Sequence, residues 1–163
     1  MPVTDAQVAA LRAFLNHDPD TTVQLTARLG DDGIPGYWYL AEAALSIAAC
    51  RRFSPRFTRA DLVRYIASVR VSRMTDGAEY VLDPVAAENV LRYFLGATEM
   101  TLPDSETRLR TVISLLDALA DTELSSDADV DTLLAEARKL ADHWAAHDQL
   151  RQATADPQAP PEA

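Results

Sequence analysis

The chain has 163 residues and a formal net charge of −10, with 48% hydrophobic and 25% charged residues. This length and composition are those of one folded globular domain and exclude a largely disordered chain. The only cysteine, Cys50, excludes an intramolecular disulfide and any cysteine-built zinc or iron–sulfur site within one chain, and it fits a reducing cytoplasm. The longest apolar run, residues 34–50, is interrupted by Glu42 and is short for a membrane span, which needs roughly 20 apolar residues.

The two ends of the chain and its excess of arginine over lysine lead to three expectations. The N-terminus has no basic segment followed by an apolar core, so we expect no secretory signal. Fourteen arginines against one lysine suggest a bacterial, GC-rich source. Residues 155–163 contain three prolines, two acidic residues and no large apolar side chain. We therefore predict one domain over residues 1–154 and a disordered, Pro-rich acidic tail over 155–163.

Two amphipathic helices are predicted at the start of the chain. Thr4 followed by Gln7 has the spacing of a capping box, and apolar residues then recur at helical spacing over residues 5–15. A shorter helix over residues 22–29 ends at Gly30, a residue type favoured just after a helix.

The next helix should be the centre of the fold. Residues 31–34 are predicted to form a loop, and Pro35 is favoured at a first helical position. The helix over residues 35–52 is apolar on nearly every face, which is typical of a helix buried all round. Its one carboxylate, Glu42, must be paired, hydrogen-bonded or protonated. We predict that Glu42 contacts an arginine of residues 51–73.

Three consecutive aromatic residues, Tyr37–Tyr39, begin this helix. Neighbours on a helix lie about 100° apart, so the three side chains cannot share one face and at least one should reach the surface. Aromatic and arginine side chains are common anchors of protein interfaces. Trp38 and Tyr39 are therefore candidate partner-binding residues, together with the arginines described next.

The arginine-rich segment, residues 51–73, holds seven of the fifteen basic residues and is opposed within it only by Asp61. Its arginines are Arg51, Arg52, Arg56, Arg59, Arg64, Arg70 and Arg73. Such a local excess of positive charge is either a docking surface or the neutralising partner of the chain's own acidic helices, and the sequence leaves both open. All of them except Arg64 are candidate partner-binding residues, because Arg64 is placed to pair with Asp61 at i−3.

A β-hairpin is an alternative for part of this region. Residues 69–74 and 79–82 alternate in polarity on either side of Thr75-Asp-Gly77, and Asp-Gly is a hairpin signal. With the preceding helix from Thr58, such a hairpin would resemble the end of a winged helix. A nucleic-acid-binding function would depend on it.

The C-terminal half predicts three more helices. Asp83-Pro84 begins one that Gly96 ends, the next begins at Pro103 or Asp104, and the last follows Ser126. The final two helices should form an antiparallel hairpin, which completes a compact all-α bundle of six or seven helices. The apolar stripe of the last helix is wider than one neighbour needs, so a homodimer through Trp144 is expected.

The candidate motifs for catalysis or metal binding are incomplete. His143 and His147 have a chelating i, i+4 spacing, but two ligands do not make a metal site. Residues 127–131 copy the opening of a calcium loop, yet its required glycine and glutamate positions are Thr132 and Arg138. The glycines form no phosphate loop, and we expect no cofactor or metal and no catalytic residue.

Three function classes remain. The first is a non-catalytic cytoplasmic protein that binds another protein, as an adaptor, an inhibitor or an immunity-type neutraliser. The second is a nucleic-acid-binding regulator, which the net charge of −10 disfavours because it repels phosphates. The third is an enzyme whose active-site residues are scattered through the sequence.

Overall fold

The computed structural model of the protein describes residues 2–75, 77, 80–97, 99 and 101–155, and of residues 149–155 the backbone alone. These residues form six α-helices and no β-strand, as predicted for an all-α bundle. In chain order the helices are α1 (Asp5–Leu15), α2 (Pro19–Phe53), α3 (Arg59–Thr75), α4 (Pro84–Phe94), α5 (Ser105–Glu123) and α6 (Asp127–Ala155). Except for Ala155, which ends α6, the predicted tail lies outside the described residues.

The first helix begins at the predicted capping box. The backbone N–H of Thr4 donates to Oε1 of Gln7 (2.8 Å), and the backbone N–H of Gln7 donates to Oγ1 of Thr4 (3.3 Å). Gln7 is buried and also donates from Nε2 to the carbonyl oxygen of Gly33 (2.7 Å). A Cβ atom at Gly36 would overlap the Gln7 side chain, so glycine lets α1 and α2 approach closely here.

The second helix differs from the prediction. It begins at Pro19, with Asp18 as its N-cap, and it resumes directly after a break at Gly30. Gly30 has a φ of 63°, a left-handed conformation that glycine adopts at little cost. The predicted loop at 31–34 is therefore wrong, and Pro35 lies inside α2. It lies five residues after Gly30, within the resumed helix, and not at the first helical position that the sequence predicts.

The part of α2 after Gly30 forms the centre of the core, as predicted. Its buried side chains include Leu40, Ala41, Ala44, Leu45 and Ala48. Helices α1, α4, α5 and α6 all pack against α2, and α3 packs mainly against α4. Because α2 is shared, the end of α4, the start of α5 and the end of α6 meet on one side of it.

Residues 69–74, predicted as the first strand of a hairpin, are helical in α3. Val69 is buried, and Arg73, one turn later, donates to the backbone carbonyl oxygen of Ser114 on α5 (3.2 Å). This stretch satisfies both an alternating and a helical pattern, and packing against neighbouring helices selects the helix. The hairpin prediction is therefore wrong for its first strand. Of the remainder, residues 80–82 form no strand, and residues 76, 78 and 79 lie outside the described residues.

The three C-terminal helices begin where the sequence predicts. Asp83 and Asp104 are the N-caps of α4 and α5, and Ser126 precedes α6. Gly96, with a φ of 92°, ends α4. Helices α5 and α6 are joined by a short connection, but each contacts α2 more extensively than it contacts the other. The C-terminal hairpin is therefore held together through α2 rather than by direct pairing.

Candidate functional site

An open cleft with a volume of about 670 Å³ lies where α2, α4, α5 and α6 meet. Its size falls within the range of protein ligand sites. Five of its lining residues are aromatic and three are charged at neutral pH. The lining consists of Pro35, Trp38, Tyr39, Glu42, Tyr93, Phe94, Ser105, Arg108, Leu109, Trp144, His147 and Asp148. We call this feature the aromatic cleft.

Two of the three consecutive aromatic residues of α2 line the aromatic cleft. Tyr37 is buried in the core, where burial raises the pKa of its hydroxyl to about 12. Trp38 and Tyr39 are half-buried and line the cleft. As expected from the helical spacing of about 100° per residue, the three rings do not share one face: one lies in the core and two line the cleft.

The other three aromatic residues of the lining come from α4 and α6. The rings of Tyr93 and Phe94 meet edge to face with centroids 5.3 Å apart. The ring of Phe94 lies nearly parallel to that of Trp144, with centroids 6.2 Å apart and an interplanar angle of 13°. Trp144 was predicted to mediate a homodimer, and it is instead partly covered by Phe94 of the same chain. Self-association through Trp144 stays a prediction, which a solution mass at micromolar concentration would test.

An ion pair lies within the aromatic cleft. Nη2 of Arg108 lies 2.6 Å from Oε2 and 2.5 Å from Oε1 of Glu42, and the two side chains are 33% and 14% exposed. Burial opposes the charged form of Arg108, but the hydrogen bond to Glu42 and the attraction of the Glu42 charge together outweigh it and raise the pKa of Arg108 above its usual value. Nη2 of the guanidinium group is therefore held by Glu42, and the charges of the two side chains offset one another.

The expectation that Glu42 contacts the arginine-rich segment is wrong. Arg51 and Arg52, the nearest of its arginines along α2, lie nine and ten residues beyond Glu42, which is about 13 Å or more along the helix axis. The first turn of α5 places Arg108 beside Glu42 instead. The requirement that a carboxylate in an apolar helix be paired is satisfied by a partner distant in sequence.

Tyr39 and Asp148 form a second polar contact at the cleft. The Tyr39 hydroxyl donates a hydrogen bond to Oδ2 of Asp148 (2.6 Å). This bond to a carboxylate is the main cause of a raised pKa of the Tyr39 hydroxyl, so Tyr39 stays protonated at neutral pH. Asp148 forms no ion pair with any described residue. It is therefore the one carboxylate of the cleft without a cationic partner in that part of the chain.

The arginines of the arginine-rich segment mostly pair within the chain. The ion pairs are Arg51 with Glu136 (2.8 Å), Arg52 with Glu123 (3.3 Å), Arg59 with Glu88 (2.5 Å), Arg64 with Asp61 (3.1 Å) and Arg73 with Asp117. Arg56 and Arg70 have no ion pair with any residue that the structure describes. This pattern favours neutralisation of the chain's own acidic helices over a docking surface. The partner-binding role of these arginines stays a prediction.

Groups with catalytic or metal-binding potential do not form a site in the described residues. No three His, Cys, Asp or Glu residues there are placed to hold a metal ion, and the rings of His143 and His147 have centroids 6.4 Å apart. Ser105 and His147 both line the cleft, but no hydrogen bond joins them within the described part. Cys50 is half-buried, with Sγ 3.9 Å from the carbonyl oxygen of Phe94.

Sequence reasoning singled out three of the five aromatic residues of the cleft, and only two of them as sites for a different protein. Trp38 and Tyr39 were singled out because they are consecutive with Tyr37. Trp144 was expected to contact a second copy of the chain, Phe94 looked like an ordinary member of an apolar helix stripe, and no local pattern marked Tyr93. Only the contacts among α2, α4 and α6 bring these rings together.

Two broader observations complete the description. Within the described residues, no helix combines the length and hydropathy that crossing a membrane requires. No protein-family model, curated protein or solved structure matches the chain significantly. We therefore infer function from the geometry of the chain's own residues.

Proposed function

We propose that the chain is a non-catalytic cytoplasmic protein that binds a segment of another protein in the aromatic cleft. It would act as an adaptor, an inhibitor or an immunity-type neutraliser. The observation that carries the proposal is the meeting of five aromatic side chains from three helices at one open cleft: Trp38, Tyr39, Tyr93, Phe94 and Trp144. Tryptophan and tyrosine are enriched among the residues that contribute most binding energy to protein interfaces.

The polar groups of the cleft support binding rather than catalysis. A general base or nucleophile needs a reactive group that is free to act on a substrate. Glu42 is paired with Arg108, and Asp148 accepts a hydrogen bond from the Tyr39 hydroxyl. Ser105 has no base within hydrogen-bond reach in the described residues. These groups are better suited to positioning the aromatic walls than to moving protons.

The arginine-rich segment contributes to this function mainly by holding helices together. Arg51 and Arg52 connect the end of α2 to α6 and α5, and Arg59 connects α3 to α4. Among the predicted partner-binding residues, Trp38 and Tyr39 therefore carry the proposal. Arg56 and Arg70, unpaired in the described part of the chain, are the arginines left to contact a partner directly.

Site-specific crosslinking tests the proposal in two steps. A photo-crosslinking amino acid at position 38, in the cleft, is compared in cells with the same amino acid at the exposed position 23. We expect a protein crosslinked from position 38 and not from position 23, which mass spectrometry then identifies. The identified protein is purified, and calorimetry measures its affinity for the full chain.

Matched variants decide whether the cleft is the binding surface. We expect Trp38→Ala to weaken binding at least about tenfold, as for an interface residue that contributes much of the binding energy. Tyr80→Ala removes a half-buried aromatic ring outside the cleft and should leave the affinity unchanged. Circular dichroism checks that both variants fold. Equal affinities of the two variants, or crosslinking from position 23 alone, would contradict the proposal.

A further inference from the structure

The aromatic cleft combines aromatic rings with a carboxylate, Asp148, that has no cationic partner among the described residues. The face of an aromatic ring is electrostatically negative and attracts cations, most strongly in tryptophan. Trp38 and Tyr39 of α2 line the cleft together with Tyr93, Phe94 and Trp144 of α4 and α6. Five rings around one open volume are an unusual concentration in a chain with 7% aromatic residues, and both of its tryptophans lie here.

The charged residues of the cleft leave a negative excess. Glu42 and Arg108 neutralise one another, with a single nitrogen contacting both carboxylate oxygens. Asp148 has only the neutral Tyr39 hydroxyl as a hydrogen-bond donor in the described residues. The hydrogen bond to Asp148 and burial raise the pKa of Tyr39 most, and the charges of Asp148 and Glu42 raise it further while Arg108 opposes them. The net charge of −10 adds a long-range attraction for cations.

We propose that the aromatic cleft takes a cationic side chain of the partner, the ammonium group of a lysine or the guanidinium group of an arginine, seated against the rings beside Asp148. This inference rests on the proposed function and names the chemistry of the partner at its centre. A cation gains from the ring faces and from the unpaired carboxylate together. An anionic side chain would be repelled by Asp148, and the charge of Arg108 is already offset by Glu42.

Three small probes with four carbon atoms separate charge from hydrophobicity. Butylammonium carries the charge of a lysine side chain, 1-butanol is a neutral equivalent, and butyrate is anionic. Binding is followed by the indole N–H resonances of Trp38 and Trp144 in the ¹⁵N-labelled full chain. We expect saturable shifts with butylammonium, roughly fivefold weaker binding of 1-butanol and no binding of butyrate.

Two variants connect the effect to Asp148. Asp148→Asn keeps an acceptor for the Tyr39 hydroxyl but removes the charge. It should therefore weaken the binding of butylammonium and leave the binding of 1-butanol unchanged. Tyr39→Phe frees the Asp148 carboxylate and should leave butylammonium binding equal or stronger. The proposal is overturned if butyrate binds as well as butylammonium, if butylammonium does not bind, or if Asp148→Asn has no effect on it.

The outcome separates this inference from the proposed function. A partner that binds through the cleft, yet keeps its affinity when its lysines and arginines at the interface are replaced, supports the function and overturns the cationic specificity. A cleft that binds butylammonium while no protein crosslinks from position 38 supports the cation site and overturns the protein-binding function.

Discussion

The arginine-rich segment and the aromatic cleft use charged side chains in opposite ways. In the arginine-rich segment, Arg51, Arg52 and Arg59 each reach a carboxylate on another helix, so their positive charge is neutralised in contacts between helices. In the cleft, one ion pair lies among aromatic rings and Asp148 stays without a cationic partner in the described residues. The arginine-rich segment, although it is the more conspicuous in the sequence, therefore has less unpaired charge available for a partner than the cleft has.

This difference shows how a binding surface can be hidden in a sequence. A run of like charge is conspicuous, but its partners can lie anywhere else in the same chain. The cleft is assembled from residues between positions 35 and 148, and each of its helices carries only two to four of them. Four predictions test whether the two regions differ as the contacts indicate.

The largest effect is expected from the ion pair of the cleft. Glu42→Ala leaves the Arg108 guanidinium without its partner, and breaking a fully buried pair in this way costs about 3–5 kcal/mol. Because Arg108 is one-third exposed, we expect a loss of about 2 kcal/mol in the free energy of unfolding, measured by urea denaturation. Glu136→Ala, which breaks the exposed pair with Arg51, is the control. Equal losses in the two variants would contradict the distinction between the two regions.

The second prediction concerns Glu88, the most buried of the carboxylates that pair with the arginine-rich segment. Glu88 is 11% exposed and accepts hydrogen bonds from Nε (2.5 Å) and Nη2 (3.2 Å) of Arg59, which is 74% exposed. Arg59→Ala leaves a buried carboxylate with only Arg92 nearby, at 3.6 Å. Glu88→Ala leaves an arginine that water can solvate. We therefore expect Arg59→Ala to lower the urea midpoint more than Glu88→Ala, and the reverse order would contradict this account.

The helix boundaries were largely predictable because capping is local. Thr4 with Gln7, Asp83 with Pro84, and Asp104 each provide acceptors for backbone N–H groups within three residues. Gly30 was recognised as a break, but its effect on residues 31–34 was not, because a single left-handed residue can turn the chain without a loop.

The contents of the cleft were not predictable for a different reason. Glu42 was correctly expected to need a partner, since that need follows from its apolar helix. The identity of the partner, Arg108, depends on where α5 packs along α2. The same holds for Phe94 and Trp144, whose stacking requires the ends of α4 and α6 to meet. Sequence indicates which groups need contacts, and tertiary packing decides which groups meet.

Two helix-capping carboxylates should make stability depend on pH in both regions. Hydrogen bonds from Thr58 and Thr107 lower the pKa values of Asp61, at the start of α3, and Asp104, at the start of α5, from 3.8. A lowered folded-state pKa contributes stability above the unfolded-state value, and this is lost as pH falls through the folded-state pKa. We expect the urea midpoint to decrease as the solution is acidified below about pH 4.

Asparagine variants identify the groups responsible for this acid sensitivity. Asp104→Asn keeps a capping oxygen but cannot titrate, so its midpoint should fall less steeply with acid than that of the unmodified chain. Asp61→Asn should behave in the same way. A slope unchanged in both variants would mean that these carboxylates do not contribute to the pH dependence.

The smallest effect is expected from the exposed pairs of the arginine-rich segment. Exposed ion pairs contribute little because water and salt screen them, so Arg51→Ala and Arg52→Ala should each change the free energy of unfolding by no more than about 0.5 kcal/mol. Their pairs with Glu136 and Glu123 are wholly separate from the cleft lining, so partner affinity should also be unchanged. Calorimetry with the crosslinked partner checks this. If the affinity for the partner instead falls about tenfold while the free energy of unfolding is unchanged, the arginine-rich segment is itself a docking surface. An arginine that contributes that much binding free energy is available to the partner and is not used up in contacts within the chain.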